Sequence, residues 1–440
     1  MKIGIVGGGI SGLTAAFYLQ KKGYDCTVLE KNNVAGGCIS TEQKDGRIYE
    51  NGPNSLLFTS KHLKFIEEVG FLDELIEAEA VNKDRFILKN GKYHVLPSGP
   101  QNFFSNKFFS GKTKWKIITE YFRKNQAASD KETVYDFFLR RFNKEICDYA
   151  LDPFVSGIYA GDPKKLAIKA SFPSLYEAEH KHGSIIKGMI KKRKENKENG
   201  VPTERRTAYS FKEGNFSFIK KLAVQVNIKS SFTVKNILKE EQYFTIEGES
   251  ETLQFDHVVI ASDIYSSSSF LKGLLPTVAN KIENIVAPPM CVVHSVYSKD
   301  AVKNAPIGFG GLNPRLEKTF TAGSIWTSCI FPNRTPQGEA MITSFVGGMQ
   351  NPEKTNLSED ELKEGVAHEL NSTLNIEGQP IYQKVFKWEK AIPQYSYDIV
   401  ELWEEMNKNE IDGLHFTTNW KGGIAVPECI DQAIALSENI

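Results

Sequence analysis

Residues 2–30 read KIGIVGGGISGLTAAFYLQKKGYDCTVLE, and this stretch decides the fold of the chain. The apolar run Lys2–Gly7 is typical of a buried strand, and Gly12–Lys22 carries apolar residues at helical spacing. A second strand follows at Asp25–Glu30. Strand, helix and strand in this order predict a βαβ unit, in which the two strands are parallel.

Three glycines, spaced as Gly7-x-Gly9-x-x-Gly12, lie where the first strand meets the helix. Gly7 permits a tight turn, Gly9 admits a diphosphate close to the backbone, and Gly12 lets the helix pack closely on the strand. The helix N-terminus offers free N–H groups to the same phosphates. Glu30 ends the second strand, where its carboxylate can bind both ribose hydroxyls of an adenosine. The pattern favours dinucleotide binding over an ordinary glycine turn.

Composition and charge exclude several classes of protein. The 54 basic and 54 acidic residues cancel, which leaves no net attraction to nucleic acid. The six cysteines are scattered without a CxxC pair, so we predict no metal site. Neither an export signal nor an apolar stretch of about 20 residues that could span a membrane is visible. We expect a cytoplasmic protein, either soluble or peripherally attached to the inner face of the cell membrane.

Two later segments carry a family resemblance. Val34–Thr41 (VAGGCIST) resembles the glycine doublet of the amine oxidase and desaturase flavoproteins, with Cys38 where an arginine is usual. Tyr49–Leu56 (YENGPNSL) resembles the segment that follows this doublet in FAD-dependent protoporphyrinogen oxidases. Further segments are similar to that family in its order, namely Arg85–Pro97, Ser156–Pro163, Ser184–Ile186, Gly308–Pro314, Ser344–Gly348, Ala391–Tyr395 and Asn419–Ile430. One departure is the sequence TTN at 417–419, where alanine-glycine-asparagine is more usual.

The resemblance implies that the dinucleotide is FAD. It also implies a set of cofactor-binding residues spread over the whole chain. These are Gly7, Gly8, Gly9, Ser11, Gly12, Glu30, Lys31, Gly36, Gly37, Cys38, Gly52, Pro53, Asn54, Ser55, Val234, Trp388, Asn419, Ile424 and Val426.

Four residues are candidates for substrate binding by the same resemblance. A porphyrinogen is a large apolar disc with carboxylates on its rim, so its pocket needs apolar walls and a cation. Arg85 would anchor a propionate, and the alternative is a surface arginine in an ion pair. Leu312, Ile325 and Phe345 would sandwich the tetrapyrrole, and the alternative for each is an ordinary core residue.

Two residues are candidates for a catalytic role. Asn54 corresponds to a family position near flavin and substrate, although asparagine after proline is also a normal turn residue. Gly157 would let the backbone approach the reacting carbon, and the alternative is a turn glycine. The sequence shows no Ser-His-Asp set and no paired catalytic acids, which fits chemistry carried by the flavin itself.

The fold class that follows is α/β, with a Rossmann-like FAD-binding domain, an inserted α+β substrate domain and a mostly helical subdomain. We assign 1–80, 208–268 and 385–440 to the first, 81–100 and 269–384 to the second, and 101–207 to the third. A helix is predicted at Leu63–Ala80, a hairpin at Asp84–Val95 around the Asn90-Gly91 turn, and a strand at Ser324–Cys329.

The helical subdomain contains a basic aromatic segment, Asn102–Phe122. Its apolar residues Phe103, Phe104, Phe108, Phe109 and Trp115 would enter a membrane surface while Lys107, Lys112, Lys114 and Lys116 face the headgroups. The alternative is a helix that packs its aromatic side on the core. Both readings stay open from the sequence.

The resemblance implies oxidation of protoporphyrinogen IX in successive two-electron steps, in porphyrin and haem biosynthesis. Molecular oxygen would be the acceptor and hydrogen peroxide the co-product. Coproporphyrinogen III is the nearest alternative substrate, and its two additional propionates would require further cationic contacts. A flavin amine oxidase and a flavin-binding protein without activity are more distant alternatives. The sequence leaves the oligomeric state open.

Overall fold

The computed structural model describes residues 1–96, 103, 105–124, 129, 131–200 and 204–440. The strands are β1 (Lys2–Val6), β2 (Asp25–Leu29), β3 (Thr41–Lys44), β4 (Arg47–Glu50), β5 (Leu56–Phe58), β6 (Leu75–Glu77), β7 (Arg85–Lys89), β8 (Lys92–Val95), β9 (Thr207–Phe211), β10 (Ile228–Lys229), β11 (Asn236–Lys239), β12 (Phe244–Glu247), β13 (Thr252–Phe255), β14 (His257–Ile260), β15 (Met290–Ser298), β16 (Gly310–Leu312), β17 (Gly323–Ile325), β18 (Glu339–Gly347), β19 (Tyr382–Trp388) and β20 (Leu414–Phe416).

The helices fall between these strands. They are α1 (Ile10–Lys21), α2 (Ser60–Glu68), α3 (Gly111–Glu120), α4 (Val134–Arg141), α5 (Lys144–Ile146), α6 (Asp152–Tyr159), α7 (Ile168–Ser171), α8 (Pro173–His182), α9 (Ile185–Glu198), α10 (Asn215–Ala223), α11 (Ile264–Leu271), α12 (Pro276–Glu283), α13 (Thr327–Ile330), α14 (Glu359–Leu374), α15 (Tyr397–Lys408) and α16 (Val426–Asn439). A π turn, Cys147–Leu151, leads directly into α6.

The chain divides into two units. The first consists of Met1–Ala78, Arg205–Ile285 and Asp398–Ile440, and the second of Glu79–Glu204 and Val286–Tyr397. The α/β fold class is confirmed. The assignment of three functional domains stays a prediction, and its boundary at residues 100 and 101 lies outside the described residues.

A parallel sheet with the order β10-β2-β1-β14-β20 forms the centre of the first unit. The βαβ unit predicted from residues 2–30 is confirmed, since β1 and β2 pair in parallel and α1 connects them. Buried apolar side chains hold α1 and α16 against this sheet, among them Ile5, Leu19, Val28 and Ala433. Because the strands are parallel, all five end at the same edge of the sheet. We call this edge, where Val6, Ile260 and Phe416 end their strands, the nucleotide edge.

A mixed sheet with the order β19-β15-β18-β17-β16-β7-β8 forms the centre of the second unit. One of its faces packs on α14 through a buried cluster that includes Cys291, Val293 and Leu370. Side chains alternate between the faces of a strand, so the residues between these core positions point to the opposite face. We call that opposite face the open face.

Two predicted elements differ from the structure. The helix expected at Leu63–Ala80 ends at Glu68, because Gly70 adopts a φ of 72° and residues 75–77 pair with β9 instead. The strand expected at Ser324–Cys329 ends at Ile325, where the chain turns into α13. Both segments mix apolar and polar residues, and such a pattern does not fix where a helix or a strand ends.

Among the described residues, no helix is long and apolar enough to cross a membrane. Over the same residues, no group of three or more histidine, cysteine and acidic side chains is placed to hold a metal ion.

Candidate active site

The predicted glycine turn lies at the nucleotide edge. Gly7 has a φ of 111°, and a Cβ on it would lie 2.8 Å from the carbonyl oxygen of Ala261. A Cβ on Gly12 would lie 2.0 Å from the carbonyl oxygen of Gly7, so only glycine lets α1 approach β1 this closely. Gly9 precedes α1, and neither a side-chain cap nor an acidic residue occupies the first turn of this helix. Its N–H groups are therefore placed to bind an anion.

Glu30 lies buried beside this turn. One carboxylate oxygen accepts a hydrogen bond from the N–H of Gly8 at 2.7 Å, and the other accepts one from the N–H of Asn32 at 2.8 Å. Each carboxylate oxygen has a further lone pair, so the group can still accept two hydroxyl donors. This is the arrangement that an adenosine ribose requires. Lys31, which follows, is exposed and forms an ion pair with Asp263 at 3.0 Å.

Two loops approach the turn from the side. Gly37 comes so close to Gly9 that a Cβ on it would lie 3.2 Å from the Cα of Gly9. The N–H of Gly36 donates to the carbonyl oxygen of Gly8 at 2.8 Å. Gly52 packs on the carbonyl oxygen of Cys38, which joins the predicted 52–55 segment to the same surface. The structure thus brings together the glycines of three separate sequence segments.

Asn54 is buried within the 52–55 segment. Its side-chain N–H groups donate weakly to the carbonyl oxygens of Glu50 and Gly52, at 3.4 and 3.3 Å. Its side-chain oxygen has no hydrogen-bond partner among the described residues. A buried amide oxygen without a donor is costly, and a bound ligand can supply that donor.

Three of the remaining cofactor predictions within the first unit lie close in sequence to the C-terminal helix, and Val234 lies elsewhere. Asn419 follows β20, Ile424 precedes α16, and Val426 is the first residue of α16. The thiol of Cys429 in this helix lies within reach of Ser11 on α1, and burial raises its pKa to about 12. Val234 is buried shortly before β11.

These features fit FAD. A glycine cradle that any Cβ would fill, an uncapped helix N-terminus and a buried carboxylate with free lone pairs match its diphosphate and its adenosine ribose. The individual cofactor contacts stay predictions.

The candidate substrate residues occur in the second unit, and the register of the sheet decides which of them share a face. Gly310 on β16 pairs with Arg85 on β7 and with Ile325 on β17. Residues paired across strands point to the same side of a sheet. Arg85 and Ile325 therefore flank a position that carries no side chain.

The neighbouring row repeats this arrangement. Gly323 on β17 pairs with Leu312 and with Phe345. Leu312 lies two residues after Gly310, so this row is on the same face as the first row. All four substrate candidates lie on the open face of the sheet, around two glycines that leave its centre without side chains. Leu312, Ile325 and Phe345 are half-buried, as a ligand-contacting surface requires.

Gly157 lies directly over this surface. A Cβ on Gly157 would lie 2.8 Å from Cδ2 of Leu312, so α6 and β16 touch at this point. Arg315 acts as a clamp on α6: its guanidinium contacts the carboxylate of Asp152, the first residue of the helix, at 3.2 Å and that of Asp162, three residues after its end, at 3.1 Å. The structure thus places Gly157 beside a substrate candidate, which its sequence position alone does not reveal.

Arg85 is exposed and forms no ion pair with a described residue. Its guanidinium lies over the ring of Phe309 at 4.0 Å, a contact that orients the group without neutralising it. The alternative role of Arg85, a surface ion pair, is therefore not observed among the described residues. A cation stacked in this way can bind a carboxylate bidentately.

Trp388, a predicted cofactor residue, lies on β19 in the second unit. It pairs with Met290, and its ring contacts that of Phe386 at 5.0 Å. Phe386 pairs with Val292, which in turn pairs with Phe345. The open face therefore continues through aromatic residues that sequence reasoning missed. The sequence could have identified Phe386, because it lies two residues before Trp388 on β19 and side chains two residues apart on a strand share a face.

A buried polar network supports Leu312 from the other face. Asn313 accepts a hydrogen bond from the hydroxyl of Tyr93 at 2.7 Å and donates to the carboxylate of Glu369 at 3.1 Å. Thr321 also donates to Glu369, at 2.5 Å. Burial raises the pKa of Glu369 above its usual value. The network ties β16 and α14 together and fixes the position of Leu312.

The basic aromatic segment is partly buried. Phe108 and Phe109 belong to a core cluster, which the partly buried Phe103 also contacts, so for these three rings the alternative of packing on the core applies. They are apolar because they pack inside the second unit. Trp115 on α3 and Phe122 after it have 65% and 77% of their surface exposed. Asn102 and Phe104 lie outside the described residues.

Comparison with known proteins gives a consistent result. The family described as flavin-containing amine oxidoreductases matches residues 10–440. Protoporphyrinogen oxidase 2 of Arabidopsis thaliana is 30% identical, over 98% of this chain and 91% of its own length. Coproporphyrinogen III oxidase of Bacillus subtilis is 26% identical, over 98% of this chain and 96% of its own. A crystal structure of a proposed protoporphyrinogen oxidase from Exiguobacterium sp. 255-15 superimposes with a TM-score of 0.79 at 20% identity, covering 100% of this chain and 98% of that one.

Proposed function

Because the chain belongs to the family of flavin-containing amine oxidoreductases, we propose that it oxidises protoporphyrinogen IX to protoporphyrin IX with FAD as its cofactor. The observation that carries the proposal is the open face, where Arg85, which has no ion-pair partner among the described residues, borders a half-buried apolar surface. This combination suits an apolar disc with a carboxylate rim. The plant relatives that share most of their length with this chain are named for the same reaction.

The residues of the open face have separate tasks in this proposal. Arg85 binds a propionate and so sets the rotation of the disc in its plane. Leu312, Ile325 and Phe345 cover its apolar surface and exclude water. Gly157 lets α6 pack directly on Leu312 and so brings the helix backbone close to the edge of the disc. When bound, FAD would supply the six-electron oxidation in three successive two-electron steps, with three molecules of oxygen as the final acceptor and three of hydrogen peroxide as the co-product.

Coproporphyrinogen III is the second candidate substrate. It is favoured by bacterial relatives named coproporphyrinogen III oxidase, which this chain matches over 96% and 98% of their lengths. Its four propionates require cations beyond Arg85. Lys384 is a candidate for one of them, because it pairs with His294 and so points to the open face.

The proposal is tested by supplying the purified holoenzyme with protoporphyrinogen IX, coproporphyrinogen III or a polyamine in air. Porphyrin fluorescence above that of heat-denatured protein is expected, together with peroxide in proportion to porphyrin. Faster formation of coproporphyrin would select the second candidate. Oxidation of the polyamine alone would refute both.

We further propose a peripheral membrane contact through α3 and α9. Trp115, Phe122 and Ile190 are exposed apolar residues on or just after these helices, and α9 carries the basic run at 187–197. The buried carboxylate of Glu120 joins the two helices, because it accepts hydrogen bonds from N–H groups at the start of α9. This junction supports the proposal that the two helices contribute apolar and basic residues to one membrane-binding surface.

Flotation with anionic and with neutral vesicles tests this contact. The holoenzyme should float with anionic vesicles, and W115A/F122A should float less. The matched control is V224A, which removes an equally exposed apolar residue of the first unit and should not change flotation. Equal flotation of all three proteins, or none, would refute the contact.

A further inference from the structure

Two neighbouring hydroxyl groups lie buried at the nucleotide edge without a hydrogen bond. Thr417 and Thr418 follow β20 directly, and they are 0% and 2% exposed. The side-chain oxygen of neither has a partner among the described residues. A buried hydroxyl without a partner loses its bonds to water and gains nothing in exchange.

Several other buried hydroxyls of the first unit are bonded within the polypeptide, although that of Thr14 on α1 also has no partner among the described residues. Ser210 donates to Asn215 at 2.8 Å, and Ser437 donates to the carbonyl oxygen of Ala433 at 2.7 Å. Thr59 is bonded to His62 at 2.9 Å. Thr417 and Thr418 differ from Thr14 in being consecutive and in lying at the nucleotide edge, where a partner that is not part of the polypeptide can bind both hydroxyls.

The segment that carries the two threonines is held firmly. The N–H of Thr417 donates to the carbonyl oxygen of Ile260 at 2.9 Å. The indole N–H of Trp420, a completely buried residue, donates to Ser262 at 3.1 Å, and Trp403 donates to Trp420 at 2.8 Å. Threonine side chains have few rotamers. The hydroxyls cannot reach water without breaking these contacts.

Thr417 and Thr418 lie at the same sheet edge as the glycine turn. Gly7 contacts Ala261 across the end of β1 and β14, and Thr417 follows the end of the next strand, β20. Neighbouring strands are about 4.8 Å apart, so Thr417 lies about 10 Å from Gly7 along the nucleotide edge. A dinucleotide whose diphosphate lies at the start of α1 spans such a distance with its next few atoms.

We propose that the hydroxyls of Thr417 and Thr418 bind FAD, at its diphosphate and the ribityl chain that follows. A hydroxyl can donate to a phosphate oxygen and exchange hydrogen bonds with a sugar alcohol. The two threonines occupy the place where the family resemblance leads one to expect alanine and glycine, which have no such groups. The inference rests on FAD binding in the proposed function and does not depend on the substrate.

The test is the isosteric variant T417V/T418V, which replaces each hydroxyl by a methyl group of similar size. FAD is removed from the holoenzyme and titrated back, and the Tm of the apoprotein is measured alongside. Loss of two hydrogen bonds should weaken FAD binding by about a hundredfold. The apoprotein should keep or exceed the wild-type Tm, because the hydroxyls stabilise nothing in the polypeptide. The variant T417S/T418S keeps both hydroxyls and should retain the affinity.

The matched control is T59V, which removes a buried threonine hydroxyl that is already bonded within the first unit. It should lower the Tm of the apoprotein and leave the Kd for FAD unchanged. A Kd of T417V/T418V within about threefold of wild type would overturn the proposal. So would a weaker affinity that comes with a lower apoprotein Tm, since the hydroxyls would then be structural. Wild-type protein that takes up no FAD at all would instead overturn the proposed function.

Discussion

Gly157 and Leu312 touch so closely that a Cβ on the glycine would lie 2.8 Å from Cδ2 of the leucine. The glycine lies within α6, and the leucine lies on the open face of the sheet. A glycine inside a helix costs about 0.5–1 kcal/mol relative to alanine. Glycine is nevertheless required at this position, because a larger residue would prevent α6 from packing this closely on β16.

Substitution G157A should therefore separate stability from activity. The added methyl group favours the helix but pushes Leu312 away from its position on the open face. We expect kcat/KM for the porphyrinogen to fall by about tenfold or more, while the Tm changes by only a few degrees. Steady-state kinetics and thermal unfolding measure the two effects.

The double variant G157A/L312A supplies the control for this prediction. It removes the leucine methyl groups that collide with the new Cβ. An effect of alanine on the backbone of α6 can thus be distinguished from a steric clash with Leu312. If G157A retained full activity, the close contact would have no part in substrate handling.

A second prediction concerns Arg85. The propionate that it binds is remote from the bond that is broken, so R85A should raise KM by about tenfold or more and change kcat much less. R85K should be intermediate, since an ammonium cannot bind both carboxylate oxygens in the same plane. K92A changes an exposed cation of the same hairpin and should leave KM unaltered. An unchanged KM in R85A would remove Arg85 from the substrate site.

The third prediction tests the clamp on α6. R315M removes the contacts with Asp152 and Asp162 and leaves two partly buried carboxylates without a cation. We expect a loss of about 1–3 kcal/mol in the free energy of unfolding of the second unit and a lower kcat/KM, with the FAD content unchanged. K303M breaks an exposed pair with Glu377 at 4.0 Å and should cost less than about 0.5 kcal/mol. Equal losses in both variants would contradict the clamp.

Local signals explain which elements the sequence predicted. The Asn90-Gly91 turn predicted a hairpin, and both residues adopt positive φ, 54° and 71°, as its two-residue turn requires. The strand, helix and strand of residues 2–30 were likewise predicted, since glycine spacing and apolar periodicity act within a short stretch. The family resemblance of Val34–Thr41, Tyr49–Leu56 and the later segments indicated the cofactor and the class of substrate.

Nonlocal contacts explain what the sequence did not predict. Strand β6 exists because residues 75–77 pair with β9, far along the chain, and no pattern near Leu75 announces that partner. Phe108 and Phe109 are buried by the packing of the second unit, although their spacing suits a membrane surface equally well. The unbonded hydroxyls of Thr417 and Thr418 become visible only when every neighbouring donor and acceptor is placed.

A fourth prediction concerns stability in acid. Burial and the nearby charge of Lys384 lower the pKa of His294 to about 3, whereas the pKa of a histidine in the unfolded chain is about 6.5. Between these values the unfolded chain binds a proton that the folded protein does not. The free energy of unfolding should therefore fall as the pH falls from about 6.5 towards 3, by a few kcal/mol from this group.

The variant H294Q cannot titrate and keeps a group that can bond Thr343, which His294 contacts at 3.1 Å. Urea denaturation between pH 7 and pH 4 should show a smaller loss of stability for H294Q than for the wild type. H180Q replaces an exposed histidine and should reproduce the wild-type slope. Identical slopes in all three proteins would show that His294 does not contribute.

Porphyrinogen oxidation by bound FAD is tested most directly by mixing the yellow holoenzyme anaerobically with protoporphyrinogen IX, coproporphyrinogen III and a polyamine in separate experiments. We expect that a porphyrinogen bleaches the flavin absorbance within one turnover, that the polyamine leaves it unchanged, and that R85A slows bleaching at low substrate concentration. Bleaching by the polyamine alone, or by none of the three, would contradict this expectation.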